Sequence, residues 1–262
     1  MKRIIFAFAA FLSASLIFAQ PADKVIKVGA TPVPHADLLN QIKADLQKAG
    51  YTLQVVEFTD YVQPNVALEN GEIDANFFQH KPYLDSFNKE KKSSLVNAGG
   101  IHIEPMGGYT KKGLKKIDDL KPGATIAVPN DPTNEGRALL LLQSAGVIKL
   151  KEGVGLSATV KDIAENKKKL VFKELEAAQL PRAVADVDLA IINGNFALDA
   201  GFKKKDAIII EGRESPYVNI VAVKKEKSSE PKILALVTAL QSKKIKDYIA
   251  KKYADGSVVA AF

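Results

Sequence analysis

The chain has 262 residues, a net charge of +7, 47% hydrophobic residues and no cysteine. Without cysteine there is neither a disulfide framework nor a thiol nucleophile, so stability must come from buried apolar surface. The positive charge is mild, and the lysine runs at 167–169 and 203–205 have no interleaved aromatic residues, which argues against a nucleic-acid-binding surface.

A secretory leader is predicted at residues 1–19. Lys2 and Arg3 precede an apolar run from Ile4 to Ala19, which is interrupted only by two serines. The run is slightly shorter than the about 20 apolar residues of a membrane-spanning helix, and polar residues follow it at once. We therefore expect cleavage after Ala19 and export of the mature chain, with an uncleaved membrane anchor as the alternative.

The first elements of the mature chain predict a βαβ unit. Residues 25–30 and 53–58 have the composition of strands, and a helix is expected between them because apolar residues recur there with helical spacing before Gly50. Those apolar residues are Leu38, Leu39, Ile42 and Leu46. The unit predicts a mainly parallel sheet with helices on its faces.

The same pattern returns in the second half of the chain. A strand at 124–128 is followed by a turn at 129–134 and by an apolar helix at 138–145. Thr133 or Asn134 is the expected N-cap, because both side chains can accept a main-chain hydrogen bond. This repetition predicts two lobes of one design.

Two more segments resemble each other, 71–78 and 187–196, since in each an acidic residue opens a short apolar strand that ends in amide and aromatic residues. Two β-favouring segments, 101–110 and 217–223, are expected to cross between the lobes and form a hinge. A helix pair is then expected on lobe 1. The predicted organisation is a leader at 1–19, lobe 1 at 20–106, lobe 2 at 107–216 and a returning segment of lobe 1 at 217–262, with the helix pair at 231–241 and 246–253.

Candidate binding residues are those that follow the strands, because ligands of open α/β sheets bind beyond the carboxyl ends of the strands. Arg137 is expected in the first turn of a helix, where the helix dipole disfavours a cation. A ligand carboxylate could compensate it, because a guanidinium recognises carboxylates with two parallel hydrogen bonds. The alternatives are an ion pair with Asp131 or Glu135, or a solvated side chain.

Three asparagines form the next group of candidates. Asn193, Asn195 and Asn219 each offer a donor and an acceptor, which suits the ammonium and carboxylate of a zwitterion. Asparagine after a strand is more often a turn residue, so the prediction depends on their convergence.

An aromatic cluster is predicted around two strand ends, and core packing is the default interpretation of such residues. Successive strand residues face opposite ways, so at least one of Phe77 and Phe78 should be structural while the other could line a pocket. The remaining members of the cluster are Tyr61, His80 and Tyr83.

No catalytic motif is present. The sequence contains no Gly-x-Ser-x-Gly elbow, no His-Glu-x-x-His and no Walker phosphate loop. His35, His80 and His102 could in principle bind zinc, but none lies at short helical spacing from another. We therefore predict a non-enzymatic protein without metal or cofactor.

Several longer stretches resemble the methionine-binding lipoproteins of the NlpA and MetQ type, which serve an ABC importer. They are residues 60–65, 71–84, 104–107, 129–134 with 137–139, 192–195 and 215–219. The resemblance extends over essentially the whole mature chain. It implies an α/β, two-lobed periplasmic-binding-protein fold of type II-like, Venus-flytrap architecture with two crossover strands.

The resemblance also implies a ligand, L-methionine, and a role for each candidate residue. Arg137 would hold the ligand carboxylate, and Asn195 and Asn219 would bond its amino-acid end. The thioether would lie among aromatic residues. These are Tyr61, Phe78 and His80, and the weaker candidates for the site are Asn134 and Asn193. A membrane ABC permease is the implied partner, and a monomer is expected.

One departure from the family concerns the leader. Family members usually carry a lipobox ending in cysteine, and residues 16–20 contain none. We therefore expect a freely soluble periplasmic protein rather than a lipid-anchored one. Open alternatives for function are binding of another amino acid or a methionyl dipeptide, a surface interaction protein or adhesin without uptake, and, remotely, an exported hydrolase.

Overall fold

The computed structural model describes residues 22–212 and 215–262, so the predicted leader and its cleavage site lie outside the described residues. Within these ranges the strands are β1 (Val25–Ala30), β2 (Thr52–Glu57), β3 (Ala75–His80), β4 (Leu95–Ile103), β5 (Gly107–Tyr109), β6 (Thr125–Pro129), β7 (Lys149–Leu150), β8 (Ile163–Glu165), β9 (Val171–Leu175), β10 (Leu189–Ile192), β11 (Ile209–Ile210), β12 (Val218–Lys224) and β13 (Val259–Ala260).

The α-helices in the same ranges are α1 (Asp37–Lys48), α2 (Gln63–Asn70), α3 (Lys81–Lys91), α4 (Pro132–Ser144), α5 (Leu180–Ala183), α6 (Gly194–Asp199), α7 (Pro231–Leu240) and α8 (Lys243–Lys252). Between residues 22 and 262, leaving aside 213 and 214, none of these helices has the length and apolar character needed to cross a bilayer.

Two large sheets organise the chain into two lobes. Lobe 1 has six strands in the order β13-β4-β12-β3-β1-β2, and lobe 2 has five in the order β11-β5-β10-β6-β9. In lobe 1 the pairs β1–β2 and β1–β3 are parallel, as the predicted βαβ unit requires, whereas β12 is antiparallel to both of its neighbours. In lobe 2, β6 is parallel to β9 and to β10. Each lobe is therefore a mixed sheet covered by helices.

The chain passes between the sheets twice, through 104–106 and again between β11 and β12. Segment 217–223, predicted to cross, instead forms β12 almost entirely and lies inside the lobe 1 sheet between β3 and β4. Its residues are buried on both faces, so it has the continuous apolar pattern of a central strand. The crossing lies just before it. The predicted lobe limits themselves stay a prediction.

The core of lobe 1 forms where helices cover the sheet. The four apolar residues predicted on α1 are all at most 1% exposed. Helices α7 and α8 contribute to the same cluster through Ile233, Leu236, Leu240, Ile245 and Ile249. The C-terminal helix pair therefore packs in the same core as α1.

Helix α4 begins earlier than predicted, at Pro132 rather than at residue 138. The N-cap is Asp131, whose carboxylate accepts a 3.0 Å hydrogen bond from the Asn134 N–H, so the predicted cap at Thr133 or Asn134 is wrong. Proline suits the first position of a helix because its ring already fixes the helical φ and that N–H has no partner in any case. Arg137 consequently lies in the second turn, not the first.

Close packing of α4 depends on Gly136. A β-carbon at this position would overlap the carbonyl oxygen of Leu156 and lie 3.0 Å from the Ala158 nitrogen. These are main-chain atoms, which a side-chain rotation cannot move away. The glycine therefore lets the helix that carries Arg137 approach the neighbouring loop.

Gly136→Ala should destabilise the protein by about 1–3 kcal/mol through overpacking. The gain of about 1 kcal/mol that alanine brings to an open helix position does not cancel this, because the obstructing atoms are main chain. Urea unfolding measures the effect, with Gly212→Ala as the control because no atom lies within 4 Å of a β-carbon there. Equal stability of Gly136→Ala and wild type would contradict this packing.

Candidate functional site

A narrow, nearly closed cavity lies between the lobes. The structure brings all eight predicted site residues to its wall: Tyr61, Phe78 and His80 with Asn219 from lobe 1, and Asn134, Arg137, Asn193 and Asn195 from lobe 2. Gln79, Tyr83, Glu104 and Gly194 complete the wall.

Strand alternation separates the two phenylalanines of β3. Phe78 borders the cavity, whereas Phe77 is fully buried in the lobe 1 core, where its ring packs edge-on against His35 at 4.7 Å between centroids. One residue is thus structural and the other faces the cavity, as the sequence predicts.

One end of the cavity is aromatic. The Tyr61 ring lies 5.8 Å from that of Phe78, 5.9 Å from that of Tyr83 and 4.8 Å from that of Phe196. Such tilted and edge-on arrangements are the favoured ones for aromatic pairs. This end of the cavity suits an apolar, polarizable group.

His80 joins the lobes at the edge of this aromatic wall. Its Nδ1 accepts a hydrogen bond from the Tyr83 N–H at 3.2 Å, so the ring proton is on Nε2, which donates to Asn134 Oδ1 at 3.0 Å. Burial, followed by the charge of Arg137, lowers the pKa of His80 to about 3. The residue is therefore a neutral donor of fixed tautomer.

The other asparagines form hydrogen bonds that orient them toward the cavity. Asn193 donates to Asn134 Oδ1 at 2.7 Å, while its own Oδ1 is buried and has no partner among residues 22–212 and 215–262. Asn195 Oδ1 accepts from the Tyr61 hydroxyl at 2.5 Å, which is a second bond between the lobes. Asn219 Oδ1 lies 3.3 Å from His35 Nε2.

Arg137 is 3% exposed and binds neither Asp131 nor Glu135. Its Nε and one terminal nitrogen donate to the two carboxylate oxygens of Glu211 at 2.9 and 2.5 Å, and that terminal nitrogen also donates to the Glu104 carbonyl at 2.8 Å. The Tyr217 ring lies 4.3 Å from the guanidinium carbon. Pairing with Glu211 therefore replaces the ion pairs considered from the sequence.

This pairing decides how Arg137 can act. A guanidinium has five N–H donors, and Glu211 and the Glu104 carbonyl take three of them. The other terminal nitrogen makes no hydrogen bond within the part of the chain that the structure describes, and the residue borders the cavity. Two charged donors therefore remain for a ligand.

Glu104 is the main residue that sequence reasoning missed. It lies between β4 and β5, is 4% exposed, and its carboxylate contacts His102 Nε2 at 2.5 Å and His35 Nε2 at 3.3 Å. Burial raises the pKa of Glu104 and lowers that of His35 to about 4 and that of His102 to about 3. The site thus contains one carboxyl group against two neutral imidazoles.

The same three side chains are the ones that could hold a metal ion. Their ligand atoms lie within 4.8 Å of one another, and all three residues are buried. His80, the third histidine considered for zinc, is bonded to Asn134 instead.

The sequence did contain a pattern that could have identified Glu104 as a site residue, since it opens the stretch 104–107 that resembles the family. No such pattern marked Glu211, which is 74 residues from Arg137.

Comparison with known proteins places this geometry in context. The family model described as NlpA lipoprotein matches residues 26–262. The D-methionine-binding lipoprotein MetQ of Yersinia pestis is 47% identical over 219 residues, which are 82% of this chain and 80% of that protein. The membrane lipoprotein TpN32 of Treponema pallidum is 40% identical over 92% of this chain and 90% of its own length.

A solved structure supports the same assignment. A nutrient-binding protein from Burkholderia cenocepacia bound to methionine is 51% identical, with a TM-score of 0.87 over 90% of this chain and 100% of that chain. This likeness confirms the predicted α/β, two-lobed periplasmic-binding-protein fold.

The three histidines should remain neutral at pH 5.5. A free imidazole with a pKa of about 6.5 would be about 90% protonated there. Burial lowers the pKa values of His35, His80 and His102 to about 4, 3 and 3. Because these are the only histidines of the chain, ring-nitrogen NMR of ¹⁵N-histidine-labelled protein reports on them alone. A resonance titrating near pH 6.5 would contradict the buried, neutral arrangement.

Glu211→Gln should destabilise the protein, because it leaves the buried Arg137 without a counter-charge. Breaking a fully buried pair costs about 3–5 kcal/mol, and the lower end applies because the Glu211 side chain is 17% exposed. The matched control is Asp247→Asn, in a pair whose side chains are 86% and 62% exposed, for which a change below about 1 kcal/mol is expected. Equal losses of unfolding free energy in Glu211→Gln and Asp247→Asn, measured by chemical unfolding, would show that the Arg137–Glu211 pair stabilises the protein no more than an exposed pair does.

Proposed function

The chain belongs to the NlpA lipoprotein family, and from this premise we propose that it is an extracytoplasmic solute-binding protein that captures L-methionine between its lobes and delivers it to an ABC importer. The observation that carries the proposal is the cavity, where free arginine donors, convergent amides and an aromatic wall lie together. Relatives described as D-methionine-binding and as bound to methionine support this ligand.

Arg137 recognises the ligand carboxylate in this proposal. Glu211 occupies the planar fork of Nε and one terminal nitrogen, so the ligand uses the remaining terminal nitrogen. Asn195 and Asn219 hydrogen-bond the amino-acid end, because amides supply both donors and acceptors. Asn134 and Asn193 hold the lobe 2 wall through their mutual hydrogen bond.

The methionine side chain lies against the aromatic end of the cavity. Tyr61, Phe78 and His80 surround the thioether, where sulfur–aromatic contacts contribute about 0.3–1.5 kcal/mol each.

Closure of the lobes accompanies binding. The His80–Asn134 and Tyr61–Asn195 hydrogen bonds join opposite lobes, so they form only when the lobes meet. A ligand that contacts both lobes has a higher affinity for the closed form and shifts the hinge equilibrium toward it. The closed surface is then presented to a membrane permease. The protein acts as a monomer and catalyses no reaction.

The proposed location is the periplasm, without a lipid anchor. Relatives are described as lipoproteins, but the sequence contains no cysteine to receive a thioether-linked lipid. Acyl labelling of the mature N-terminus would contradict this part of the proposal.

Arg137→Ala should weaken L-methionine binding by about 2–5 kcal/mol, because it removes the cation that pairs with a buried carboxylate. Isothermal titration calorimetry measures the loss, with D-methionine titrated in parallel to establish stereoselectivity. Arg137→Lys should also bind weakly, since it keeps the charge but loses the fork that holds Glu211.

The matched control is Arg182→Ala, which removes an exposed arginine of α5 and should bind like wild type. Circular dichroism of each variant establishes folding. Unchanged methionine affinity in a folded Arg137→Ala protein would remove Arg137 from the site.

Methionine should shorten the distance between spin labels on opposite sides of the cleft. The chain has no cysteine, so Lys89→Cys and Ser157→Cys give one exposed label in each lobe. Pulsed electron paramagnetic resonance measures their separation, and Lys89→Cys with Lys225→Cys, both in lobe 1, should show no change. Identical interlobe distances with and without methionine would contradict ligand-driven closure.

A further inference from the structure

Asp131 does not border the cavity, but it holds one of the residues that do. It is the N-cap of α4, and Asn134 is the third residue of that helix. Side chains of a helix lean toward its N-terminus, so the Asn134 amide returns toward Asp131. The amide Nδ2 donates to both carboxylate oxygens, at 3.0 and 2.9 Å. The start of α4 thus brings the two side chains together.

Capping alone does not account for both of these bonds. A cap needs one oxygen, and Asp131 Oδ1 accepts from the Asn134 main-chain N–H at 3.0 Å and from Thr133 Oγ1 at 3.1 Å. Among residues 22–212 and 215–262, the other oxygen, Oδ2, accepts only from the Asn134 Nδ2. An ionised carboxylate is an acceptor only, so it selects the nitrogen of the Asn134 amide and not its oxygen. Asp131 therefore decides which way that amide points.

The orientation of this amide is felt in the opposite lobe. Asn134 Oδ1 accepts from His80 Nε2 of lobe 1 at 3.0 Å and from Asn193 Nδ2 at 2.7 Å. On the far side of the imidazole, the Tyr83 main-chain N–H donates to His80 Nδ1, so the ring proton stays on Nε2. Each of these bonds donates toward Asp131, which is the final acceptor of the chain.

The chain of hydrogen bonds requires an ionised Asp131. Burial raises the pKa of Asp131, and the hydrogen bonds from Asn134 and Thr133 oppose this shift. A proton on Oδ2 would face an N–H of the Asn134 amide. If the amide reversed to avoid it, the amide N–H would face the Nε2–H of His80. Either arrangement leaves two donors in contact, which is costly for buried groups.

We propose that Asp131 is a positioning residue for lobe closure, because it fixes the Asn134 amide so that its oxygen accepts the hydrogen bond from His80 across the cleft. This inference rests on the proposed function, capture of methionine by closure. The second bond between the lobes, from Tyr61 to Asn195, does not pass through Asp131. Loss of the Asp131 carboxylate should therefore shorten the lifetime of the closed complex without preventing closure.

Asp131→Asn tests the inference, because it keeps the shape and the cap but replaces one acceptor by a donor. Asparagine is as good an N-cap as aspartate. Its amide nitrogen would lie against the Asn134 Nδ2, so the Asn134 amide must reverse or move away from His80.

The measurement is the dissociation rate of L-methionine, followed by stopped-flow tyrosine fluorescence in a chain that has no tryptophan. In Asp131→Asn this rate should rise at least about 10-fold, because a buried donor loses its acceptor. The association rate should change less than about 3-fold, since changes at a contact surface act mostly on dissociation.

Exchange of the two residues separates this role from capping. In Asp131→Asn/Asn134→Asp the amide at 131 donates to the carboxylate at 134, whose other oxygen again accepts from His80. Dissociation should return to within about 5-fold of wild type, because the acceptor is restored. Loss of a cap would not be reversed by this second substitution.

Asp162→Asn is the matched control and should keep the wild-type rate. Asp162 also accepts a main-chain N–H bond, from Thr159 at 3.0 Å, and its ion pair is with Lys151, away from the cavity wall. If Asp131→Asn does not fold, Asp131→Ser provides a second variant. Serine also caps helices but offers one oxygen, so dissociation should rise about 3- to 10-fold.

Two failures can be told apart. Methionine binding with a wild-type dissociation rate in folded Asp131→Asn or Asp131→Ser, or an exchanged protein that releases methionine as fast as Asp131→Asn, would overturn the inference alone. Wild-type protein that binds no methionine would overturn the proposed function and the inference together.

Discussion

Arg137 ties the ligand cavity to both segments that connect the lobes. It extends from α4 in lobe 2, donates to the Glu104 carbonyl in the first connection, and forms its ion pair with Glu211 at the start of the second. Glu211 in turn accepts from the Met106 N–H at 3.2 Å. One guanidinium thus bonds to both connections, so a ligand bound to its remaining donors, as we propose, would be linked directly to both of them.

Most polar groups around the cavity form hydrogen bonds with one another, so few donors and acceptors remain free for a ligand. His80 and Asn134 form a continuous chain of hydrogen bonds that ends on Asp131, the N-cap of α4. Gln79 is similarly held by Asn65 and Asn76 at 2.7–3.0 Å. Buried polar groups held in this way are rigid, because any rotation would leave a donor or acceptor unpaired. The cavity wall is therefore preorganised, with few polar groups left free.

Local patterns predicted the fold well where periodicity and burial agree. Leu38, Leu39, Ile42 and Leu46 marked the buried face of α1, and all four are in the core. The predicted start of α4 was wrong because the helix begins at its cap and not at its first apolar residue. Asp131 caps the helix and Pro132 begins it, earlier than the apolar pattern indicates. All eight candidate site residues border one cavity. The Arg137–Glu211 pair could not be predicted, because no local pattern links residues so distant in sequence.

Ligand binding in the cavity is tested most directly by a crystal structure of the protein, produced with ordinary methionine, in complex with L-selenomethionine. Anomalous scattering then comes from the selenium of the ligand alone. We expect one strong peak in the cavity beside the rings of Tyr61 and Phe78, with the ligand carboxylate on the free terminal nitrogen of Arg137. A cavity without this peak, or a ligand whose carboxylate does not contact Arg137, would contradict it.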